Sequence, residues 1–198
     1  MKLTSDEALN ILNKERGKLE SDMWIEHQIC VGNTAGKIAK SLGLDEDKEK
    51  ALGYIHDIGK RYGIKERGAH GFKGYEYLKE LGYDEEYAGI CILHSYLNND
   101  INCLADITDK NGFQYEFQKN YVENHKYTDE EKIINLCDLM CTNKVLTMEK
   151  RLIDLLVRHG VFETTQYHIK EALKLKQYFD NKLGYNLYNL FPEIKENL

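Results

Sequence analysis

The chain has 198 residues, of which 42% are apolar and 30% charged, with a single proline, Pro192. That length suffices for one domain with a full core, and few prolines amid abundant Lys, Glu, Leu and Ile favour helix. No apolar run approaches the roughly 18 residues of a membrane span, and a formal net charge of −6 argues against a broad nucleic-acid-binding face.

The N-terminus, Met1-Lys2-Leu3-Thr4-Ser5-Asp6-Glu7, has no apolar signal region, so a cytoplasmic location is expected. Residues 4–20 read as a first helix, with Ser5 as N-cap and an apolar stripe of Ala8, Ile11 and Leu12. The strongest helix follows at about residues 23–42, where His27 lines up with Val31, Ala35, Ile38, Ala39 and Leu42 and Gly43 ends the run. Asp45 can cap a third helix through Ala51, Leu52 and Ile55, ending in His56-Asp57, with Gly59 placed to let the chain turn.

Residues 60–69 form a basic, glycine-containing segment with Arg61, Lys65 and Arg67. His70 opens a helix that stops at Gly82, and Asp84-Glu85-Glu86 begins another that carries His94 four residues after Ile90. Residues 95–127 are polar and patternless apart from Phe113, Tyr115, Phe117 and Tyr121, which suits a lid or binding loop. Thr128 and Glu131 form a capping box for a helix with Ile134, Cys137, Asp138 and Cys141 on one face. Helical patterns continue over residues 143–158 and from about residue 163 to Leu183, before Gly184. Cys30, Cys91, Cys103, Cys137 and Cys141 are odd in number and contain no Cys-x-x-Cys, so reduced core thiols are expected.

Four helices thus each bring a polar, metal-capable side chain onto or beside an apolar face: His27, His56 with Asp57, His94 and Asp138, and His70 heads a fifth. A single histidine so placed is usually a hydrogen-bonded core residue, and a single aspartate can cap an amide or pair with an arginine. Together they lack obvious local partners, and buried polar groups need partners. Imidazoles with carboxylates suit divalent iron, manganese, zinc or nickel.

His27, His56-Asp57 and Asp138, with the His-Asp-Ile-Gly-Lys form of the central motif, resemble the H…HD…D pattern of the HD-domain metal-dependent phosphohydrolases. The resemblance spans about residues 23–142 and implies an all-α HD-domain bundle, with residues 143–198 packed on that core in one domain. It implies that His27, His56, Asp57 and Asp138 hold a first metal. His70 and His94 look like the two extra histidines of members that split diadenosine tetraphosphate or cyclic dinucleotides, which implies a second metal bridged by Asp57. The sequence departs from those groups in three places. His70 comes only 13 positions after Asp57, Leu-Met-Cys-Thr-Asn-Lys follows Asp138 instead of Glu-Pro-x-Arg, and the Gly-Tyr-Pro signature is missing.

The resulting expectation is hydrolysis of a phosphoester or phosphoanhydride bond in a nucleotide-like small molecule. Asp57 would bridge the metals and Lys60, one turn on, would neutralise charge developing on the phosphate. Arg61, Lys65, Arg67 and Lys73 flank the motif and could receive further phosphates, although a solvated loop accounts for them equally well. The aromatics of residues 113–121 fit ordinary packing better than base stacking. His125, His159 and His168 match no motif position. A non-catalytic nucleotide- or partner-sensing module and a di-iron oxygenase share the ligand set, and a homodimer is left open.

Overall fold

The computed structural model describes residues 1–18, 21–63, 69–103 and 112–197. The described residues fold into helices α1 (Ser5–Asn13), α2 (Ser21–Leu42), α3 (Glu46–Ile55), α4 (Ala69–Glu80), α5 (Glu85–Leu93), α6 (Phe113–Asn124), α7 (Asp129–Asp138), α8 (Met148–His159) and α9 (Thr165–Leu183). Short 3₁₀ turns at Ile58–Tyr62, Leu97–Asn99, Leu187–Leu190 and Pro192–Asn197 join or follow them. The architecture is all-α, and the described residues contain no strand beyond an isolated bridge between Cys141 and Val145. None of their helices is long and apolar enough to cross a membrane.

Local chemistry sets most boundaries. The capping box at the start of α1 uses Thr4, not Ser5: the Thr4 hydroxyl accepts from the Glu7 amide, and the Glu7 carboxylate accepts from the Thr4 amide. Ser5 instead donates its hydroxyl to Asp47 across to α3. α1 stops at Asn13, well short of residue 20, and the chain leaves it through Gly17 at φ +75°. Asp45 caps α3 by accepting from the amides of Asp47 and Lys48, and the Thr128–Glu131 box opens α7, both as the sequence indicates. The region following Cys141 does not continue as helix at once; α8 begins only at Met148, where Thr147 accepts from the Lys150 amide.

Residues 113–124, in a stretch whose sequence leaves loop, short helix and hairpin open, form helix α6. Phe113, Phe117 and Tyr121 follow one another at intervals of four, so they share a helical face. Phe117 packs edge-on against Phe72 and tilted against Tyr75 of α4, with ring centroids 5.2 and 5.4 Å apart. Phe117 and Tyr121 pack α6 on α4, whereas Phe113 is exposed.

One hydrophobic cluster runs from Leu3 through the helices to Ile194. Two close approaches inside it place the motif helices. α2 and α3 meet at Gly32 and Gly53, where a methyl group on Gly53 would lie 2.4 Å from the Gly32 Cα. The other is at Gly59, whose φ is not positive. A side chain there would stand 1.9 Å from the His70 carbonyl oxygen, so this glycine allows the turn after the His-Asp pair to press against α4. Its role is close packing of backbone on backbone, and not the chain reversal expected of it. α9 packs on α2 and α7 with Ala172, Leu175 and Phe179 buried. All five cysteines are free and buried, and the Cys141 thiol reaches the Thr34 hydroxyl at 3.4 Å.

Candidate metal centre

His27, His56, Asp57, His70, His94 and Asp138 converge in space. α2 carries His27, α3 ends at its C-cap His56, and Asp57 follows between α3 and the 3₁₀ turn. His70 is the second residue of α4, His94 is the C-cap of α5, and Asp138 is the last residue of α7. Three helix C-termini, those of α3, α5 and α7, therefore supply residues to one spot. Their carbonyl ends add partial negative charge there, which favours a cation.

The carboxylate of Asp57 divides the cluster in two. Its Oδ2 lies 3.6 Å from His56 Nε2 and 3.9 Å from His27 Nε2. On that side Asp138 Oδ1 is 3.0 Å from His27 Nε2 and 3.9 Å from His56 Nε2. Asp57 Oδ1 faces the other way, 3.2 Å from His70 Nε2 and 3.3 Å from His94 Nε2, and those two ring nitrogens are 3.4 Å apart. His56, Asp57 and His94 form the buried floor, while His27, His70 and Asp138 reach the surface on one side.

The ring tautomers are set from behind. His56 Nδ1 is 2.7 Å from the Gly53 carbonyl and His94 Nδ1 is 3.1 Å from the Ile90 carbonyl, so both rings donate there and turn an Nε2 lone pair inward. Metal-binding histidines are oriented by the same device. Two buried atoms, His56 Nε2 and Asp57 Oδ1, have no hydrogen-bond partner. Buried polar atoms without partners are costly, and divalent cations on the two sides of Asp57 would satisfy them. The donor set therefore fits a metal.

Electrostatics agree. Burial pushes the His56 imidazole down to about 3 and His70 down to about 4, so both are neutral near pH 7. Burial acts the same way on His94, but the Asp57 carboxylate beside it outweighs burial and raises it. For Asp57, burial would favour the acid; the Lys60 ammonium and the surrounding histidines overcome it and hold the group well below the usual carboxylate range. Asp138 is likewise held low against burial, chiefly by its hydrogen bond with His27.

The cations and remaining histidines are spread differently. The Lys60 ammonium donates to Asp57 Oδ2, at the rim of the cluster. Lys73 sits on α4 one turn beyond His70, half-buried. Arg61 is engaged elsewhere: its guanidinium pairs with the buried Glu15 at 3.1 Å and lies 3.8 Å from the Tyr77 ring centroid. Lys65 and Arg67 fall outside the described residues. His125 pairs with Glu131 at 2.6 Å, away from the cluster's six residues.

Two buried polar residues are not evident from the sequence as parts of the architecture. His168 lies on the buried face of α9 with Ala172, Leu175 and Phe179; neither ring nitrogen has a hydrogen-bond partner, and burial pushes it down to about 4. That stripe spacing is a usable signal for its burial. Asn135 is fully buried on α7, where it interrupts the apolar run Ile133-Ile134 and Leu136-Cys137.

An all-α fold enclosing a His/Asp cluster of this kind defines a class of metal-binding helical domains, and the family comparison gives it a name. Residues 24–142 match the HD domain family, and the chain belongs to it. Members of that family are typically metal-dependent phosphohydrolases, and the family implies binding of a divalent metal that the His/Asp cluster could hold. Among curated relatives, the chain is similar to Ribonuclease Y of Fervidobacterium nodosum, at 37% identity over 70 residues, which is 35% of this chain and 14% of the relative. It is also similar to Ribonuclease Y of Thermosipho melanesiensis, at 36% over 70 residues, covering 35% of this chain and 14% of the relative. Ribonuclease Y of Protochlamydia amoebophila matches more of the chain, 51%, at 26% identity over 102 residues and 20% of its own length. The chain thus spans a fifth or less of these relatives. No solved structure matches.

Proposed function

We propose that the chain is a metal-dependent phosphohydrolase with a two-cation centre, acting on a phosphoester or phosphoanhydride bond of a nucleotide-like molecule. The observation that carries this reading is the division of Asp57, with Oδ2 toward His27, His56 and Asp138 and Oδ1 toward His70 and His94. A single carboxylate serving two sets of imidazoles is what a pair of cations requires of a bridging ligand. His27, His56, Asp57 and Asp138 would hold the first cation, and Asp57, His70 and His94 the second. Iron, manganese, nickel and zinc all suit this mixture of nitrogen and oxygen donors.

Such a pair, when bound, would supply positive charge for phosphoryl oxygens and lower the pKa of bound water. The chain's own residues do the rest. The Gly53 and Ile90 carbonyls fix the His56 and His94 rings with Nε2 inward, and His56, neutral near pH 7, has no proton to displace there. Lys60, at the surface side of Asp57, is placed to receive charge that builds on a phosphate. Lys73 is a further candidate for substrate contact. Arg61 is a poorer one, because Glu15 already neutralises it. Residues 1–198 would act as one unit, since a single core joins the site helices to α9. The name of the relatives adds RNA phosphodiesters to the bonds worth testing.

The test is release of phosphate or nucleotide from a panel of mononucleotides, dinucleotides and short RNA oligomers by protein loaded with manganese or iron. Turnover that disappears in His56→Ala and Asp57→Ala, with helicity retained, is the expected result. Hydrolysis that survives in both variants overturns the mechanism. Oxygen consumption by the iron-loaded protein without any hydrolysis would transfer the site to oxidation chemistry.

A further inference from the structure

Asn135 is fully buried, and its amide is hydrogen-bonded on both sides. Its Nδ2 donates to the carbonyls of Leu93, at 3.2 Å, and His94, at 2.6 Å. The Tyr127 hydroxyl donates to its Oδ1. The two carbonyls facing Nδ2 fix which end of the amide is which, because an oxygen placed there would meet two oxygens.

Those carbonyls belong to the C-terminal end of α5. The last carbonyls of any helix lack partners within it; here the Leu93 carbonyl also accepts from the Tyr96 amide at 3.2 Å, and the His94 carbonyl accepts from Asn135. After His94 the chain leaves the helical conformation, with Tyr96 at φ −120° and ψ 101°. His94 therefore sits at the point where the helix ends. Its ring is held by the Ile90 carbonyl of its own helix, and its backbone carbonyl is held from α7, through Asn135. Asn135 stands three residues before Asp138 on that same helix. One short segment thus carries a ligand of the Asp57 Oδ2 side and the anchor for a ligand of the Oδ1 side.

We infer that Asn135 is a positioning residue for the second cation: by capping α5 it holds His94 in register with His70 and Asp57 Oδ1. The inference rests on the two-cation reading of the site. It predicts that the two cation affinities separate on mutation, which a merely structural asparagine would not cause.

Titration of metal-free protein with Mn²⁺ alone, followed by calorimetry and by the electron paramagnetic resonance signal of a coupled manganese pair, tests this. The wild type is expected to take up two ions per chain. In Asn135→Asp and Asn135→Ala the first dissociation constant should stay within about twofold, while that of the other ion rises at least about tenfold and the coupled-pair signal is lost, the scale on which groups behind metal ligands act. If either variant fails to fold, Tyr127→Phe leaves the amide in place and removes only its orienting hydroxyl; a smaller rise confined to the second ion is then expected. Two ions bound with unchanged affinity by the Asn135 variants, or both weakened in equal proportion, would overturn the inference. A wild type that binds one ion shows instead that the two-cation reading itself fails, and the role of Asn135 falls with it.

Discussion

The two sides of Asp57 are built to different standards. The Oδ2 side draws on two carboxylates and two imidazoles, mounted on α2, α3 and α7, with α2 and α3 locked at the Gly32–Gly53 contact. The Oδ1 side has two imidazoles and one shared carboxylate oxygen, mounted on α4 and α5 and brought in by the close approach at Gly59. Fewer negative donors mean weaker attraction for a dication. The Oδ2 side should therefore fill at lower metal concentration, and the Oδ1 side should be the one that varies with conditions.

The largest effect is expected where the sides share a residue. Asp57→Asn keeps the shape and removes the charge that both sides need, so both ions should be lost and turnover should fall at least about 10³-fold, the upper scale for removing one electrostatic contact from an active site. Metal content by emission spectroscopy, with phosphate release, reads this directly. A variant that still holds two ions would show that Asp57 does not bridge.

His70→Ala should separate the sides. One ion of two is expected to remain, on His27, His56, Asp57 and Asp138, with activity down by about 10²-fold, as for other losses of an electrostatic group. Unchanged stoichiometry would place His70 outside the centre.

The same asymmetry explains what could be read from the sequence. His27, His56, Asp57 and Asp138 stand out because each polar residue sits on or ends an apolar stripe, and the His-Asp pair carries a recognisable motif. His70 and His94 are visible as histidines near helix boundaries. Their meeting is implied only by the family resemblance and not by the residue pattern, because it depends on Gly59 admitting α4, a contact between backbones that no periodicity reports. Helix α6 is hidden by Tyr115, which makes Phe113, Tyr115 and Phe117 resemble strand alternation, although Phe113, Phe117 and Tyr121 keep helical spacing. Asn135 and Arg61 mislead in opposite directions. By its place in the sequence Asn135 is a stray polar residue, yet it caps α5; Arg61 has the position of a phosphate ligand, yet it pairs with Glu15.

Acid should weaken both sides of the metal-free protein. His56 and His70 have folded values of about 3 and about 4 against an ordinary 6.5, so their stabilising contribution is complete above 6.5 and is lost as pH falls toward those values. Between pH 6.5 and 5 each contributes a loss of about 2 kcal/mol. His94 is raised and acts in the opposite sense: its contribution is full below 6.5 and declines as pH rises through its folded value. Chemical denaturation at pH 7.5 and pH 5 should therefore show a net loss in acid, reduced in His56→Gln. A flat profile would mean that these rings are not buried neutral.

The smallest effect should come from Arg61, and it marks where the site ends. Its guanidinium pairs with a buried glutamate and stacks on Tyr77, two interactions that depend on a planar cation. Arg61→Lys keeps the charge and loses the plane. If Arg61 bound substrate phosphate, lysine would serve nearly as well as a point charge, and any defect would appear in KM. If it ties the turn after the His-Asp pair to α4 and to the segment that follows α1, stability should fall by about 1 kcal/mol while KM stays constant. A thermal shift of about 2–4 °C is the expected readout for a chain of this size. A raised KM with an unchanged Tm would return Arg61 to the substrate side and extend the site beyond the six residues around Asp57.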